Sequence, residues 1–256
     1  AGMGNGSGEA QVWRFDGSSW EIVGGQGINN SWAPNTFEFV LSMASYKGNL
    51  YVGLGNTAAG NDGQVWRWDG TGWLQVGGQG LNSSWPATAS HYGEVDTLAS
   101  DVNYLYAGLG IAGNDGEVWR YDGTIWEQIG GDSLNGGWTN YAESIYALAI
   151  YRGTLVAGLG RSTGDGEVWQ WDGSSWSKIG GDGVNSSWSG VQSIESLIVY
   201  NNELYAGLGY ATGNATIWKY DESAWTEIGG DDINGSWTVG TYERVRTLAV
   251  YNGELY

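Results

Sequence analysis

Short runs rich in apolar, β-branched and aromatic residues recur along the chain, each followed by a tight turn. Typical runs are IYALAIY at 145–151, TLVAGLG at 154–160, GEVWRYD at 116–122 and WEQIGG at 126–131. Pairs such as Asn-Gly, Lys-Gly and Asp-Gly separate them, which indicates antiparallel strands joined by hairpin turns. No amphipathic helical stretch lies between them. The pattern therefore predicts an all-β fold.

The four runs return together as one unit. Cutting the chain after each Leu-Tyr or Leu-Val gives five repeats, at 1–51, 52–106, 107–156, 157–205 and 206–256. A period near 50 residues with four strands per unit is typical of β-propeller blades. A solenoid of such units would need polar caps, which the sequence does not show. We therefore predict a single domain over 1–256, a five-bladed β-propeller with four antiparallel strands per blade.

The two ends of the chain carry two parts of one motif. The chain begins with AGMG and ends with ELY, whereas the interior copies read through, as in ELYAGLG at 203–209. We therefore predict a closing blade built from both termini, with Ala1 and Tyr256 in line within one strand. A monomer is expected, with domain swapping onto a second copy as the alternative. The break inside a strand also favours a trimmed or engineered chain.

The composition limits the partners. The chain has 10 Lys and Arg against 28 Asp and Glu, a net charge of −18. Such a surface repels phosphate backbones and anionic lipid, so nucleic acid is not expected and neutral ligands or cationic partners are favoured. No apolar stretch reaches the roughly 18 residues of a membrane span. The absence of Cys excludes disulfides and is compatible with a secreted or cell-surface protein.

The longest connections carry the most informative segment, GGxxφNxSW, in which φ is aliphatic. In an up-and-down blade these connections and the loops between the second and third strands share one face, where function usually resides. The segment repeats a Trp, an Asn and clustered Gly in every unit, and then diverges. The candidate ligand-binding residues are Trp32, Trp85, Trp138, Trp188, Trp237, Asn29, Asn82, Asn135, Asn185 and Asn234.

Each of these residue types has a structural alternative. The Trp provides either a flat platform for a sugar ring or a wedge between neighbouring blades. The Asn binds hydroxyl or acetamido groups, or its side chain caps its own turn. Asp62, Asp115 and Asp165, in the loops between second and third strands, are predicted to form turns, since the spacing of a calcium loop is absent. No metal or cofactor is predicted.

The GGxxφNxSW segments, GGDSLNGGW at 130–138 above all, resemble the Ile-Gly-x-Gly-Gly-Trp signature of tachylectin-type and tectonin propellers. This resemblance implies a sugar-binding or surface-recognition protein; the tachylectin type has five blades and binds N-acetylated hexosamines between them. Turns such as FDGSSW at 15–20 are similar to Asp-boxes, which are structural turns in sialidases and other propellers. The repeat also resembles kelch-like bacterial surface propellers, which share no single function.

The sequence favours a binder over an enzyme. A glycosidase needs unlike carboxylates that converge on one site, whereas the acidic positions here are repeated. His91 is the single His, so a His-based acid–base pair is excluded. We therefore predict a multivalent, lectin-like recognition module with no catalytic residues, which binds neutral or N-acetylated glycans at near-equivalent weak sites. The alternatives are a ligand-free scaffold or engineered repeat protein and, less favoured, a glycosidase.

Overall fold

The computed structural model describes residues 1–6, 8–56, 63–86, 93–110, 116–131, 133–139, 144–209, 215–238, 240 and 242–256. These residues form 21 β-strands and four 3-10 helices of one turn each. They group into two compact units, Ala1–Ile129 and Gly130–Tyr256. None of the helices found in the described ranges is long and apolar enough to cross a membrane. The prediction of an all-β fold is confirmed.

Unit 1 begins with a three-stranded antiparallel sheet of β1 (Gly2–Met3), β2 (Gln11–Phe15) and β3 (Trp20–Gly24). A four-stranded antiparallel meander follows, made of β4 (Phe39–Tyr46), β5 (Asn49–Gly55), β6 (Gln64–Trp68) and β7 (Trp73–Gly77). The second meander consists of β8 (Glu94–Ser100), β9 (Leu105–Gly110), β10 (Val118–Tyr121) and β11 (Trp126–Gly130). The 3-10 helices Ile28–Asn30 and Leu81–Ser83 follow β3 and β7.

Unit 2 repeats this plan. Its first meander contains β12 (Ser144–Tyr151), β13 (Thr154–Gly160), β14 (Val168–Trp171) and β15 (Trp176–Gly180). Its second contains β16 (Ser193–Tyr200), β17 (Glu203–Gly209), β18 (Ile217–Tyr220) and β19 (Trp225–Gly229). The 3-10 helices are Leu134–Gly136 and Val184–Ser186, and the chain ends in a hairpin of β20 (Val250–Tyr251) and β21 (Glu254–Leu255).

The turn residues explain the hairpins. At the tight turn between β4 and β5, Lys47 has φ 46° and Gly48 has φ 77°. Two successive positive φ values define a type I′ turn, whose twist matches that of the flanking strands. The same turn recurs at Arg152 and Gly153 between β12 and β13, with φ 50° and 79°. The sequence predicted both turns, and the structure confirms the four runs quoted above as β12, β13, β10 and β11.

The chain ends pair as the repeat predicts, each within its own unit. Gly2 and Met3 of the AGMG segment pair with Val12 and Gln11. Glu254 and Leu255 of the ELY segment pair with Tyr251 and Val250. The closing blade that would join the two halves, the count of five blades and the single domain remain predictions. Sixteen of the described strands form four antiparallel four-stranded meanders, the building unit of a propeller, and the fold class is all-β and propeller-like.

Candidate functional site

The GGxxφNxSW segment folds as a tight turn that satisfies its own polar groups. Its Asn adopts the left-handed region, with φ 52° at both Asn82 and Asn185. The Asn82 Nδ2 donates to the Val76 carbonyl at 3.0 Å, and the Asn185 Nδ2 donates to the Ile179 carbonyl at 3.0 Å. The same bond forms at Asn29, at 3.1 Å, and at Asn234, at 2.9 Å. These Asn residues cap their own turns, as the structural alternative requires.

The Trp of the segment is hydrogen-bonded to the loop that ends one or two residues before a strand of its own repeat, β2, β6, β14 or β18. Its indole Nε1 donates to a backbone carbonyl 22 residues earlier, at 2.9 Å for Trp32, 2.8 Å for Trp85, 2.6 Å for Trp188 and 2.9 Å for Trp237. Trp85 is 0% exposed and Trp138 is 4% exposed, whereas Trp237 is half-buried. A Trp that packs in a protein core is expected to be buried and to have its indole N–H hydrogen-bonded.

The same Trp also packs against two Trp side chains of the next repeat. Trp188 lies edge-on to Trp218 and Trp225, at centroid distances of 5.5 and 5.0 Å. Trp32 and Trp85 make equivalent contacts in unit 1. A Cβ built on Gly180 would lie 2.8 Å from the Trp225 indole nitrogen, so only glycine allows this approach. The Trp therefore joins successive repeats.

One cleft in unit 2 reaches this Trp layer from the surface. It has a volume of about 640 Å³. The cleft lies between residues 137–139, at the end of the GGxxφNxSW segment of one repeat, and the loop between β13 and β14 of the next repeat. We call it the Trp138 cleft, and its lining includes Trp138, Leu159, Ser162, Asp165, Trp169 and Lys178. The two kinds of connection that the sequence placed on one face thus meet here.

Aromatic and apolar groups form the walls of the Trp138 cleft. Trp138 and Trp169 lie edge to face, with their ring centroids 5.9 Å apart and their planes at 68°. Trp138 is almost fully buried, so it presents an edge, whereas Trp169 is half-buried. The Trp169 indole Nε1 donates to Glu167 Oε2 at 2.7 Å, which fixes the ring. Trp169 thus offers more aromatic surface to a ligand than Trp138 does.

An ion-pair cluster forms the polar side of the same cleft. Lys178 Nζ lies 2.7 Å from Glu167 Oε1 and 3.0 Å from Asp182 Oδ2. Partial burial lowers the pKa of Lys178, but the hydrogen bonds to Glu167 and Asp182 outweigh it and the pKa is raised. The hydrogen bond from Lys178 in turn lowers the pKa of Asp182. Lys178 is therefore charged at neutral pH.

Two side-chain hydrogen bonds fix the loop at the mouth of the cleft, one within the loop and one from a neighbouring segment. The Ser162 backbone N–H donates to Asp165 Oδ2 at 2.8 Å. The Gln192 Nε2 donates to Thr163 Oγ1 at 3.1 Å, from the segment that precedes β16. Asp165 thus forms a turn, in agreement with the sequence prediction. Asp62, Asp115 and His91 lie outside the described residues.

Unit 1 has a cleft at the equivalent repeat position, with a volume of about 510 Å³. We call it the Gln11 cleft; it is lined by Met3, Gly4, Asn5, Glu9, Gln11 and Gln26. In the repeat alignment Gln11 corresponds to Glu167, Gln26 to Asp182, and Ile22 stands where Lys178 does. Among its described lining residues there is neither a tryptophan nor a cation.

Of the groups in this cleft, the sequence pattern singled out Trp138 as a candidate ligand-binding residue and Asp165 as a turn residue. It did not single out Trp169, Glu167, Lys178 or Asp182. A signal was present, because Lys178 departs from the residues found at the same repeat position, which are Ile22, Gln75, Gln128 and Glu227. Ligand binding by the ten predicted Trp and Asn residues, at near-equivalent sites in successive repeats, stays a prediction.

No protein-family model matches the chain, and no curated protein matches it. Among solved structures, a protein of unknown function from Bacteroides thetaiotaomicron is 13% identical, with TM-score 0.46, over 77% of this chain and 45% of that one. A chain of the mitotic checkpoint complex is 20% identical, with TM-score 0.45, over 85% and 72%. U3-55K is 13% identical, with TM-score 0.46, over 74% and 52%. Likeness at this level says nothing about function.

Proposed function

We propose that the chain is a non-enzymatic recognition module that binds neutral glycans, with the Trp138 cleft as a binding site. One observation carries this proposal: a surface cleft of about 640 Å³ combines two Trp side chains with a cluster of hydrogen-bonding groups. Clefts of about 300–1,000 Å³ with apolar walls and a few convergent polar groups are typical of small-ligand sites. A monosaccharide or disaccharide has the matching chemistry, because its ring has an apolar face and a rim of hydroxyls.

One side of the cleft offers apolar contacts to a sugar, and the other side offers hydrogen-bonding groups. The half-buried ring of Trp169 supports the apolar face of a sugar, and Leu159 extends that surface. Lys178 and the hydroxyls of Ser162 and Thr163 stand where sugar oxygens can bond to them. The net charge of −18 favours neutral glycans over anionic ones. A secreted or cell-surface location, where such glycans occur, is part of this proposal.

The carboxylates of the cleft support binding rather than hydrolysis. A glycosidase needs a protonated carboxylic acid beside a second carboxylate. Both oxygens of Glu167 are engaged, Oε1 by Lys178 and Oε2 by the Trp169 indole. With both oxygens already accepting hydrogen bonds from protein groups, Glu167 is placed as an acceptor and not as a proton donor to a glycosidic oxygen. We therefore propose that Glu167 positions Lys178 and Trp169.

A ligand-free scaffold is the second candidate, and one observation favours it. The Trp and Asn residues that recur in the repeats have architectural partners: Trp85 is fully buried and Asn82 caps its own turn. Repetition of these residues therefore needs no ligand to explain it. Under this alternative the Trp138 cleft is a gap between packed loops.

A glycan array followed by titration separates the two candidates. The binding proposal expects array signals from neutral or N-acetylated glycans, and N-acetylglucosamine is expected to bind with a dissociation constant on the order of 0.1–1 mM. Binding should survive removal of metals by a chelator. A blank array together with a flat titration far above that range would exclude the glycan proposal and leave the scaffold.

A further inference from the structure

We propose that Lys178 is the specificity-determining residue of the Trp138 cleft and that it donates a hydrogen bond to an uncharged sugar oxygen, a hydroxyl or an amide carbonyl. This inference rests on the proposed function, because it describes how that cleft selects its ligand. It also makes the Trp138 cleft different from the Gln11 cleft, which lies at the equivalent repeat position and has Ile22 where Lys178 stands. The near-equivalent sites expected from the repeat are then unequal.

Lys178 has more hydrogen-bond donors than its two carboxylate partners accept. An ammonium group carries three N–H donors and no acceptor. Glu167 Oε1 and Asp182 Oδ2 accept two of them, at 2.7 and 3.0 Å. Lys178 lines the cleft, and the described residues supply no acceptor for its third donor, which is left for a ligand that enters the cleft. The two carboxylates hold the long side chain in place, which reduces the entropy that binding would otherwise cost.

The charges of the Trp138 cleft favour an uncharged ligand. Asp165 and Glu167 line the cleft with Lys178, and Asp182 neutralises the ammonium from outside. The cleft and its edge thus hold three carboxylates, two of them bonded to the Lys178 ammonium. An added carboxylate or phosphate would meet more negative than positive charge, and like charges at short range disfavour binding. A neutral oxygen accepts the same hydrogen bond without that repulsion.

Lys178 is the single lysine at its position in the repeat. The same strand position holds Ile22, Gln75, Gln128 and Glu227 in the other repeats. Ile has no donor, and Gln has a donor without charge. Lysine thus adds a charge-assisted hydrogen bond, the stronger kind, to one site of the chain. Trp169 and Lys178 are paired across β14 and β15, and this pairing brings the Lys178 ammonium close to Glu167.

The test compares two ligands on three forms of the full chain: wild type, Lys178→Gln and Lys178→Arg. The ligands are N-acetylglucosamine and N-acetylglucosamine 6-phosphate, and the measurement is titration calorimetry with thermal melting as a control on folding. The wild type is expected to bind the neutral sugar at least about ten-fold more tightly than the phosphate. Lys178→Gln introduces the residue type found at positions 75 and 128, and it should lower the affinity for N-acetylglucosamine about ten-fold.

Lys178→Arg keeps the charge and the donors, so it should restore most of the affinity. Equal binding of N-acetylglucosamine by wild type and Lys178→Gln would overturn the role of Lys178 and leave the glycan proposal standing. Tighter binding of the phosphate than of the neutral sugar would overturn the selectivity. No binding of either sugar, with a blank array, would overturn both proposals. If Lys178→Gln has a lower melting temperature than the wild type and Lys178→Arg does not recover binding, Lys178 stabilises the fold and does not determine specificity.

Discussion

The first repeat, 1–51, and the fourth repeat, 157–205, have the same order of strands, but equivalent side chains in them differ in burial. Trp20, at the start of β3, is 56% exposed, whereas Trp176, at the start of β15, is 4% exposed. In the fourth repeat Trp138 of the preceding repeat packs on Trp176, with ring centroids 5.2 Å apart. Among the described residues of unit 1, the ring that contacts Trp20 is Phe15, with the ring centroids 5.1 Å apart.

The same difference separates the two clefts. The Trp138 cleft takes one wall from the preceding repeat and an ion-pair cluster from its own strands. The Gln11 cleft has the exposed Met3 and amide side chains in the matching places. A repeat therefore determines its backbone by itself, but its cleft is completed by the neighbour and by single departures such as Lys178.

The largest expected effect concerns the buried Trp. Trp176→Ala removes a side chain from the layer that joins repeats, and we expect a loss of about 3–5 kcal/mol in the free energy of unfolding. Trp20→Ala, its matched control, should cost less than about 1 kcal/mol because that side chain is largely solvated. Urea denaturation of both variants measures the difference. Equal losses would mean that Trp20 is covered in solution, as the predicted closing blade requires.

The next effect concerns the ligand. Trp169→Ala removes the half-buried aromatic wall of the Trp138 cleft, and N-acetylglucosamine should bind there at least about ten-fold more weakly, a loss of about 1.4 kcal/mol. The matched change Trp13→Ala, beside the Gln11 cleft, should leave that site unaffected. Titration calorimetry of both variants tests this. Equal loss of binding in the two would show that the affinity does not reside in the Trp138 cleft.

The smallest effect concerns the turns between the third and fourth strands, which the two repeats share. In each, an Asp accepts backbone N–H bonds; Asp16 receives them from Ser19 and Ser18, and Asp172 from Ser175 and Ser174. These hydrogen bonds lower the pKa of both carboxyls. Asp16→Asn and Asp172→Asn should therefore lower the melting temperature slightly and by similar amounts. A loss confined to one repeat would contradict the equivalence of the turns.

The same turns predict a pH dependence. Hydrogen bonds from Thr71, first from its hydroxyl, lower the pKa of Asp69 to about 2, and those from Thr124 lower the pKa of Asp122 likewise. A folded-state pKa below the unfolded value of about 3.9 adds stability that is complete above the unfolded pKa. That stability should be lost as the pH falls from about 4 to about 2. Melting temperatures measured across this interval test it, and Asp69→Asn should lose less on acidification than the wild type.

The sequence predicted the strands and turns well because they are local. Gly and Asn at the left-handed positions and the aliphatic–aromatic runs are visible in every repeat, and the structure has β12 and β13 where the sequence placed them. The candidate site was harder to predict. The pairing of Lys178 with Glu167 depends on the register of a hairpin, and the contact of Trp138 with Trp169 joins two repeats. Neither can be read from one repeat taken alone.

The central claim is that a neutral sugar occupies the Trp138 cleft, and the indole N–H signal of Trp169 in an NMR titration tests it most directly. With N-acetylglucosamine, this signal should shift and saturate at a dissociation constant on the order of 0.1–1 mM. The signal of Trp20, exposed and outside both clefts, should stay in place. A Trp169 signal that does not move far above that range, while the glycan array is positive, would place the binding site elsewhere and contradict the account.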